Sequence, residues 1–361
     1  MKNFLVDSIL PGLVGLFIAL PAAGQHASHD MHAVSRAEVL PPALPVDQND
    51  FVHVRTDVAR QIVEYVVGPV SLNAAGDHLR LPIQMADFPT DGWIHGFEAE
   101  IRDSIGNRLP MELLHHVYVV DPDERELFFP IARRIMAAGR ETATQRLPGL
   151  VGYPVDRGAR LMVAVMFANP TGRDYADVHL VVRFFVTEPV DGLVDPLDVF
   201  PFYLDVMGPT GTKDFEVPPG ESVIAWEGSP AVESRILAIG GHVHDYATRL
   251  RLIDVTGGRI LWDVEPDRTQ DGHVMGVPSD KFLWTLGKKI RPDHVYRIEV
   301  EYFNPLDAPA PHGGMGAIGG VVWVDGDVTW PDFDRTDETY VEDLARTLTA
   351  HEHMDGHDHG G

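Results

Sequence analysis

Three segments of this sequence carry residues whose types and spacing suit transition-metal ligands. His242 and His244 are separated by one residue, His115 and His116 are adjacent, and Met315 lies in a glycine-rich stretch. Imidazole nitrogens and thioether sulfurs are good ligands for copper, and the chain has no cysteine to provide a thiolate. The pattern predicts transition-metal binding, with copper as the favoured ion.

The His-x-His pair lies in a predicted strand covering Ala238–Ile253. Side chains two residues apart on a strand point to the same side, so His242 and His244 share a face that becomes apolar at Leu250 and Leu252. Two imidazoles on one side of a strand can bind one metal ion. The alternative is a pair of hydrogen-bonded histidines beside the core.

The tandem pair, His115 and His116, lies in the apolar predicted strand Leu113–Val120. Adjacent strand residues point to opposite faces, so both rings reach one metal only if the strand bulges or twists, or if different ring nitrogens are used. The alternative is one core histidine beside one exposed histidine.

The third segment is the glycine-rich run Pro311–Gly320, which contains His312 and Met315. Its glycines allow a close approach of the backbone, which favours a site with Met315 as a ligand and His312 as a weaker candidate. The alternative is a turn in which Met315 fills a gap in the core.

The elements that must position these residues are mostly strands. Period-2 faces begin at Phe97, at Val178 and at Tyr296, and turn residues separate them. This spacing predicts an all-β chain of two tandem jelly-roll (β-sandwich) domains with few short helices. Short helices are predicted at residues 57–66, 129–138 and 336–350. The predicted domains are residues 49–190 and 191–326, followed by an acidic tail, 327–361.

The first residues resemble an export signal. An apolar run, Ile9–Leu20, is followed by small residues, so residues 1–24 are predicted to be a signal peptide and 25–48 a His/Pro-rich linker. A retained anchor is the alternative. We therefore expect a periplasmic or secreted protein without a stable membrane span after cleavage. The net charge of −25 argues against a nucleic-acid partner.

Taken in order, these motifs resemble the copper type II, ascorbate-dependent monooxygenases, such as peptidylglycine α-hydroxylating and dopamine β-monooxygenase, over about residues 85–325. The resemblance implies two jelly rolls with one copper each. His115 and His116 match the tandem histidines of the first copper site. His242, His244 and Met315 match the catalytic site where oxygen and substrate meet. It also implies ascorbate or another reductant as co-substrate, and hydroxylation of a small-molecule or peptide substrate.

The sequence departs from that family at two places. The family's third histidine of the first site is expected near Val163–Asn169, where there is none, which leaves Met166, Asn169 or His179 as substitutes. In the second site, Ile318 instead of Met315 is an alternative alignment with the family methionine.

Both predicted mature termini are rich in histidine and methionine, which suits loose metal binding or delivery. A non-catalytic copper-binding protein on the same scaffold is therefore an alternative function, and a peptide-N-glycosidase F-like amidase is a lesser one. Histidines that stand alone are assigned no ligand role; these are His53, His78, His95, His273 and His294.

Overall fold

The computed structural model describes residues 51–74, 78–140, 142, 144–209, 213–311, 313–326 and 328–345, all within one compact unit, Pro41–Gly361. The predicted signal peptide and linker, His312 and the His-rich C-terminal end lie outside the described residues. None of the helices in the described ranges has the length and apolar character of a bilayer-spanning segment.

The first half of the chain is built from strands. In order, they are β1 (Val52–Asp57), β2 (Ile62–Leu72), β3 (His78–Arg80), β4 (Gln84–Asp87), β5 (Gly92–Arg102), β6 (Leu114–Arg125), β7 (Ala132–Gly139), β8 (Gln145–Arg146), β9 (Val151–Val155), β10 (Arg160–Ala168) and β11 (Tyr175–Thr187). On β11 the predicted period-2 face is confirmed, since Val178, Leu180 and Phe184 are all buried.

The second half repeats this construction and ends in a short helix. Its elements are β12 (Leu197–Asp205), β13 (Gly220–Gly228), β14 (Ser234–Val243), β15 (Ala247–Asp254), β16 (Arg259–Val264), β17 (Asp267–Arg268), β18 (Val274–Gly276), β19 (Asp280–Lys281), β20 (Lys288–Ile290), β21 (Tyr296–Asn304), β22 (Gly316–Trp323) and α1 (Glu338–Asp343). Tyr296, Ile298 and Val300 on β21 are buried as their alternation with charged residues predicts.

Each half has the strand order of a jelly roll. In the first, β2, β11, β5 and β9 form one sheet and β3, β10, β6 and β7 the other, with β4 also pairing β10. In the second, β12, β22 and β14 pair with β19 and β20 in one sheet, while β13, β21, β15 and β16 form the other. Along the chain both follow the double Greek key of a jelly roll. The predicted all-β fold class is therefore confirmed.

Apolar side chains from the two sheets of each jelly roll form a separate core. Tyr65, Phe88 and Phe184 meet edge to face in the first core, and Trp262 and Tyr296 belong to the second. The two jelly rolls are also joined by backbone hydrogen bonds, because β9 pairs parallel with β12 and creates one 11-stranded sheet. The predicted domain boundary between residues 190 and 191 falls in the link between β11 and β12, and it stays a prediction.

Two of the predicted helices are wrong. Residues 57–66 form the end of β1, a turn and the start of β2, and residues 129–138 fall largely on β7. On β7 the prediction failed because both faces of the strand are buried. Its sequence therefore lacks the alternation of apolar and polar residues that distinguishes a strand from a helix. Arg133 and Arg134, which resemble the polar face of a helix in the sequence, are buried there. The terminal helix begins at Glu338, two residues after its predicted start, and is capped by the Asp337 carboxylate, which accepts from the Thr339 amide.

The buried side chain of His95 on β5 gives the fold a pH dependence. Its Nδ1 donates to the Leu147 carbonyl at 3.1 Å, but burial outweighs this bond and lowers the pKa of His95 below its ordinary value. As pH falls from about 7.5 to about 5.5, the unfolded chain takes up a proton that the folded chain does not, so the free energy of unfolding should decrease. In urea titrations the His95→Gln variant should show a shallower pH slope than the wild type. Equal slopes would contradict this assignment.

Candidate metal centres

The strand that carries the His-x-His pair is shorter than predicted. β14 ends at Val243, and His244 begins a turn that passes through Tyr246 in the left-handed region (φ 70°) before β15 starts. β14 and β15 belong to opposite sheets of the second jelly roll. The predicted single strand Ala238–Ile253 is therefore wrong, because the chain crosses between the sheets at this point.

The two imidazoles nevertheless lie together. The ring centroids of His242 and His244 are 5.4 Å apart, with an interplanar angle of 89°. A metal about 2.0 Å from a ring nitrogen lies roughly 3.1 Å from that ring's centroid, so two rings on one ion have centroids roughly 4.4–6.2 Å apart. Val243 between them is buried in the core, whereas both histidines are partly exposed. Their spacing fits one shared ion on the outer side of the jelly roll. The prediction that the two histidines lie on an apolar face is wrong, because Val243 and not the histidines points into the core.

Strand pairing places Met315 and Ile318 on different sides of the sheet. β14 and β22 are antiparallel, with His242 opposite Ala317 and Val243 opposite Gly316; His244 follows the end of β14 and Met315 precedes the start of β22. Ile318 is fully buried in the core. Because neighbouring strand residues alternate in direction, Met315 shares the outer side with the histidines and Ile318 does not.

A single hydroxyl group connects the methionine segment to the His-x-His turn. Tyr302 Oη accepts hydrogen bonds from the backbone amides of His244 at 3.2 Å and Met315 at 3.0 Å, and it donates to the Met315 carbonyl. Burial raises the pKa of Tyr302, so the phenol keeps its proton. Gly316 allows this approach, since a Cβ there would lie 2.8 Å from Val300 Cγ1.

The residue after the pair, Asp245, supports the turn from the other side. Its Oδ2 lies 2.8 Å from His273 Nδ1, and its Oδ1 accepts from the Val274 amide at 2.9 Å. Burial opposes ionisation of Asp245, but these bonds outweigh it and lower its pKa. The Tyr246 amide also donates to the Gly272 carbonyl. The loop that contains His273 therefore holds the His-x-His turn in place.

The tandem pair lies at a β-bulge, one of the conditions under which two adjacent histidines can reach one metal. On β10, Met166 pairs with His116 and Phe167 pairs with Leu114, so His115 is the extra residue of β6. The ring centroids of the pair are 4.7 Å apart, and the two Nδ1 atoms are 2.8 Å apart. Two nitrogens about 2.0 Å from one ion, at a right angle, would be separated by roughly the same distance.

A third imidazole, His78, stands beside this pair. His78 is on β3, and its ring centroid lies 5.0 Å from that of His115, with an interplanar angle of 86°. It pairs with Ala168 of β10, so it lies across from the strand where the family's third histidine is expected. The sequence carries no local signal for this, since His78 is 37 residues from His115 and stands alone in a short strand. Only strand pairing brings them together.

The substitutes that the sequence suggested for a third ligand are otherwise engaged. Met166 Sδ accepts a hydrogen bond from Arg80 Nη2 at 3.8 Å. The amide of Asn169 donates to the carbonyls of Leu72, Asn73 and Arg173 and so closes a loop. His179 is on β11, in the other sheet of the jelly roll.

As placed, the first set of imidazoles is a row with His115 in the middle. Among the described residues, no group of three or more His, Cys, Asp or Glu side chains is placed so that it could hold a metal ion. What the structure does provide at each place is a pair of imidazoles with ring centroids 4.7 Å apart (His115 and His116) or 5.4 Å apart (His242 and His244), a spacing that two rings on one ion can have.

No family model and no curated protein matches this chain. Among solved structures, a chain titled "Structure of infectious bursal disease virus Gx strain" is similar at 11% identity and a TM-score of 0.23, covering 79% of this chain and 74% of that one. A similarity this low says nothing about function.

Removing the third imidazole should weaken metal binding at the first set. We expect His78→Ala to lower the affinity of this set for copper by about 10- to 100-fold, because a neighbouring ring that orients or completes the ligand set is lost. Competition with a chromophoric copper chelator, in a His242→Ala/His244→Ala background, would measure it. The matched control is His53→Ala, an exposed histidine of β1. Equal affinity of the two variants would exclude His78 from the site.

Proposed function

We propose that this protein is an exported copper-dependent monooxygenase, which hydroxylates a C–H bond of a small-molecule or peptide substrate with oxygen and a reductant such as ascorbate. The observation that carries the proposal is the Tyr302 hydroxyl bridge, which holds the backbone of Met315 against that of His244, beside His242. Two imidazoles and a thioether form a donor set that suits Cu(I).

Copper bound there would supply one-electron and oxygen chemistry. The protein's own contribution is position. In this proposal the methionine and the two histidines, at the adjacent ends of β14 and β22, form a site on the outer side of the sheet that a substrate can reach; the pairing of those strands supports it. The Asp245–His273 contact and the Tyr302 bridge hold the turn from two sides, so the ligands are oriented before a metal arrives. At the first set, His78, His115 and His116 would hold the copper that stores the second electron.

A non-catalytic copper-binding protein is the second candidate. The open row of imidazoles at the first set favours it, because an open set exchanges metal more readily than a closed one. Both functions use the same ligands and differ in whether electrons reach oxygen.

The deciding experiment uses the full chain with its terminal histidines replaced by alanine, namely His26, His29, His32, His351, His353, His357 and His359. Copper content and ascorbate-dependent oxygen consumption are measured with and without His242→Ala, with His53→Ala as the control. Turnover that requires His242 supports the monooxygenase. Bound copper without turnover favours the binding protein, and a chain that retains no copper excludes both.

A further inference from the structure

One edge of the second jelly roll carries an exposed apolar loop. β19 ends at Lys281, opposite Ala238 of β14, and β20 begins opposite Ile236 of the same strand. On β14 a single residue, Leu237, separates these two positions, whereas residues 282–287 separate them on the other side. These six residues, which we call the edge loop, therefore project from the sheet.

Hydrogen bonds close the edge loop into a turn. The Phe282 amide donates to the Leu237 carbonyl. The Phe282 carbonyl in turn accepts from the Thr285 hydroxyl and from the Thr285 and Gly287 amides. A Cβ at Gly287, where φ is 78°, would lie 2.8 Å from the Ile236 carbonyl oxygen, so glycine is required where the loop rejoins the sheet. The shape of the loop is therefore fixed at its base.

Two large apolar side chains extend into solvent from this loop. Trp284 is 98% exposed and Leu286 is 67% exposed. Leu286 also lies in the left-handed region (φ 57°), which is unfavourable for a bulky side chain. Strained residues of this kind cluster at functional positions. The loop thus holds apolar groups outside the protein against both burial and backbone preference.

Basic residues surround the base of the loop. The chain has five lysines, and three of them are Lys281, Lys288 and Lys289. Together with Arg291 they give residues 281–291 four positive charges and no carboxylate, in a chain whose net charge is −25. This segment therefore has the opposite charge to the protein as a whole.

Nearby carboxylates neutralise part of this charge. Glu233 pairs with Lys289 and Arg291, at 2.5 and 3.7 Å, and Asp280 precedes Lys281. Against the four cations, these two carboxylates leave an excess of two positive charges. Lys281 is exposed, and its ammonium donates to a backbone carbonyl at 3.3 Å. Lys281 is therefore well placed to meet an anion.

We propose that the edge loop docks this protein onto an anionic lipid bilayer, with Trp284 and Leu286 entering the interface between headgroups and acyl chains. Tryptophan prefers this depth because its ring is apolar and its N–H is polar. The cations at the base of the loop then face the lipid phosphates. The proposal goes beyond the copper chemistry and does not depend on it. His242 is five residues from Leu237 along β14, which corresponds to about 17 Å.

The size of the apolar surface favours a bilayer over a protein partner. Trp284 and Leu286 together offer on the order of a few hundred Å². A stable protein interface buries about 800 Å² on each partner. A small apolar tip with cations at its base has instead the pattern of an interfacial anchor. The acidic remainder of the chain does not prevent docking, because its charges are screened beyond a Debye length of about 10 Å.

The test uses the full chain and vesicles of phosphatidylcholine and phosphatidylglycerol with brominated acyl chains, which quench tryptophans that enter the bilayer. All six tryptophans are among the described residues, and Trp284 is the exposed one. We expect the vesicles to quench the emission of the parent, and Trp284→Phe to abolish that quenching. The predicted signal peptide, residues 1–24, contains no tryptophan and contributes no quenching of its own.

Variants that keep Trp284 measure what the rest of the loop contributes. Leu286→Ala should raise the lipid concentration at half-quenching about 10-fold, because less apolar surface is buried. Lys281→Gln should raise it about fivefold on the anionic vesicles and leave it unchanged on pure phosphatidylcholine. The matched control is Leu193→Ala/Val194→Ala, an exposed apolar pair in the link between β11 and β12, which should stay within about twofold of the parent.

Several results would overturn the proposal. A parent that is not quenched at about 0.1 M salt, or quenching that persists in Trp284→Phe, would show that the loop does not enter the bilayer. Equal half-quenching concentrations for Leu286→Ala and the control would remove the role of the apolar tip. Equal values for the parent on anionic and on neutral vesicles would remove the role of the cations. Self-association in sedimentation velocity that Trp284→Phe abolishes, without quenching by lipid, would assign the loop to a second copy of the chain.

Discussion

Replacing Asp343 by alanine is expected to lower the free energy of unfolding by about 3–5 kcal/mol. Asp343 and Arg134 are both buried, and the guanidinium also lies 4.7 Å from the centre of the Tyr203 ring. Without the carboxylate, a permanently charged group stays inside the protein with its ion-pair partner lost, and arginine does not release its proton to avoid this cost. Urea unfolding followed by tryptophan fluorescence would measure the loss.

Two further variants separate this effect from a general loss of charge on α1. Glu338→Ala removes an exposed carboxylate from the first turn of the same helix and should cost less than about 1 kcal/mol. Arg134→Met/Asp343→Leu replaces both charges by apolar groups and should recover most of the stability. If Asp343→Ala and Glu338→Ala were equally stable, the Arg134–Asp343 pair would not hold α1 against β7 in solution.

Tyr302→Phe is expected to reduce both stability and copper binding at the second set of candidate ligands, His242, His244 and Met315. The hydroxyl is the partner of the His244 amide and of both backbone groups of Met315, and each buried group left without a partner costs about 1–3 kcal/mol. Because water can replace part of this network, we expect a loss of at least about 2 kcal/mol in the free energy of unfolding. Copper affinity should fall with it, since Met315 is no longer held beside His244.

The matched control is Tyr296→Phe on the same strand and the same face. Tyr296 is equally buried, but among the described residues a single backbone amide donates to its hydroxyl, that of Arg291, at 2.9 Å. This variant should lose less stability and keep the copper affinity of the parent. Chelator competition and urea unfolding on both variants test the prediction. A Tyr302→Phe protein with unchanged copper affinity would mean that the bridge does not position the ligands.

Local alternation of the sequence determined the fold class. The faces on β11 and β21 are visible in the sequence because each strand buries one side, so that every second residue must be apolar. The same reasoning failed on β7, where both sides are buried and Arg133 lies under aromatic rings. A strand enclosed on both sides has no period that distinguishes it from a helix.

Pairing between distant strands decided what the candidate sites contain. The sequence by itself supplied His115, His116, His242 and His244 as ligand types, together with the condition that β6 bulges or twists or that different ring nitrogens are used. Whether it bulges depends on its register with β10, and the choice of Met315 over Ile318 depends on the register of β22 with β14.

His78 shows the limit of the sequence most clearly. No spacing links it to His115, and the two meet because β3 and β6 both pair with β10. The turn at His244–Tyr246 and the Tyr302 bridge also join residues that are far apart in the chain. Alternation records only which side of a strand is buried, whereas the partner of each strand is selected by the packing of the whole jelly roll, and so only the tertiary structure brings these ligands together.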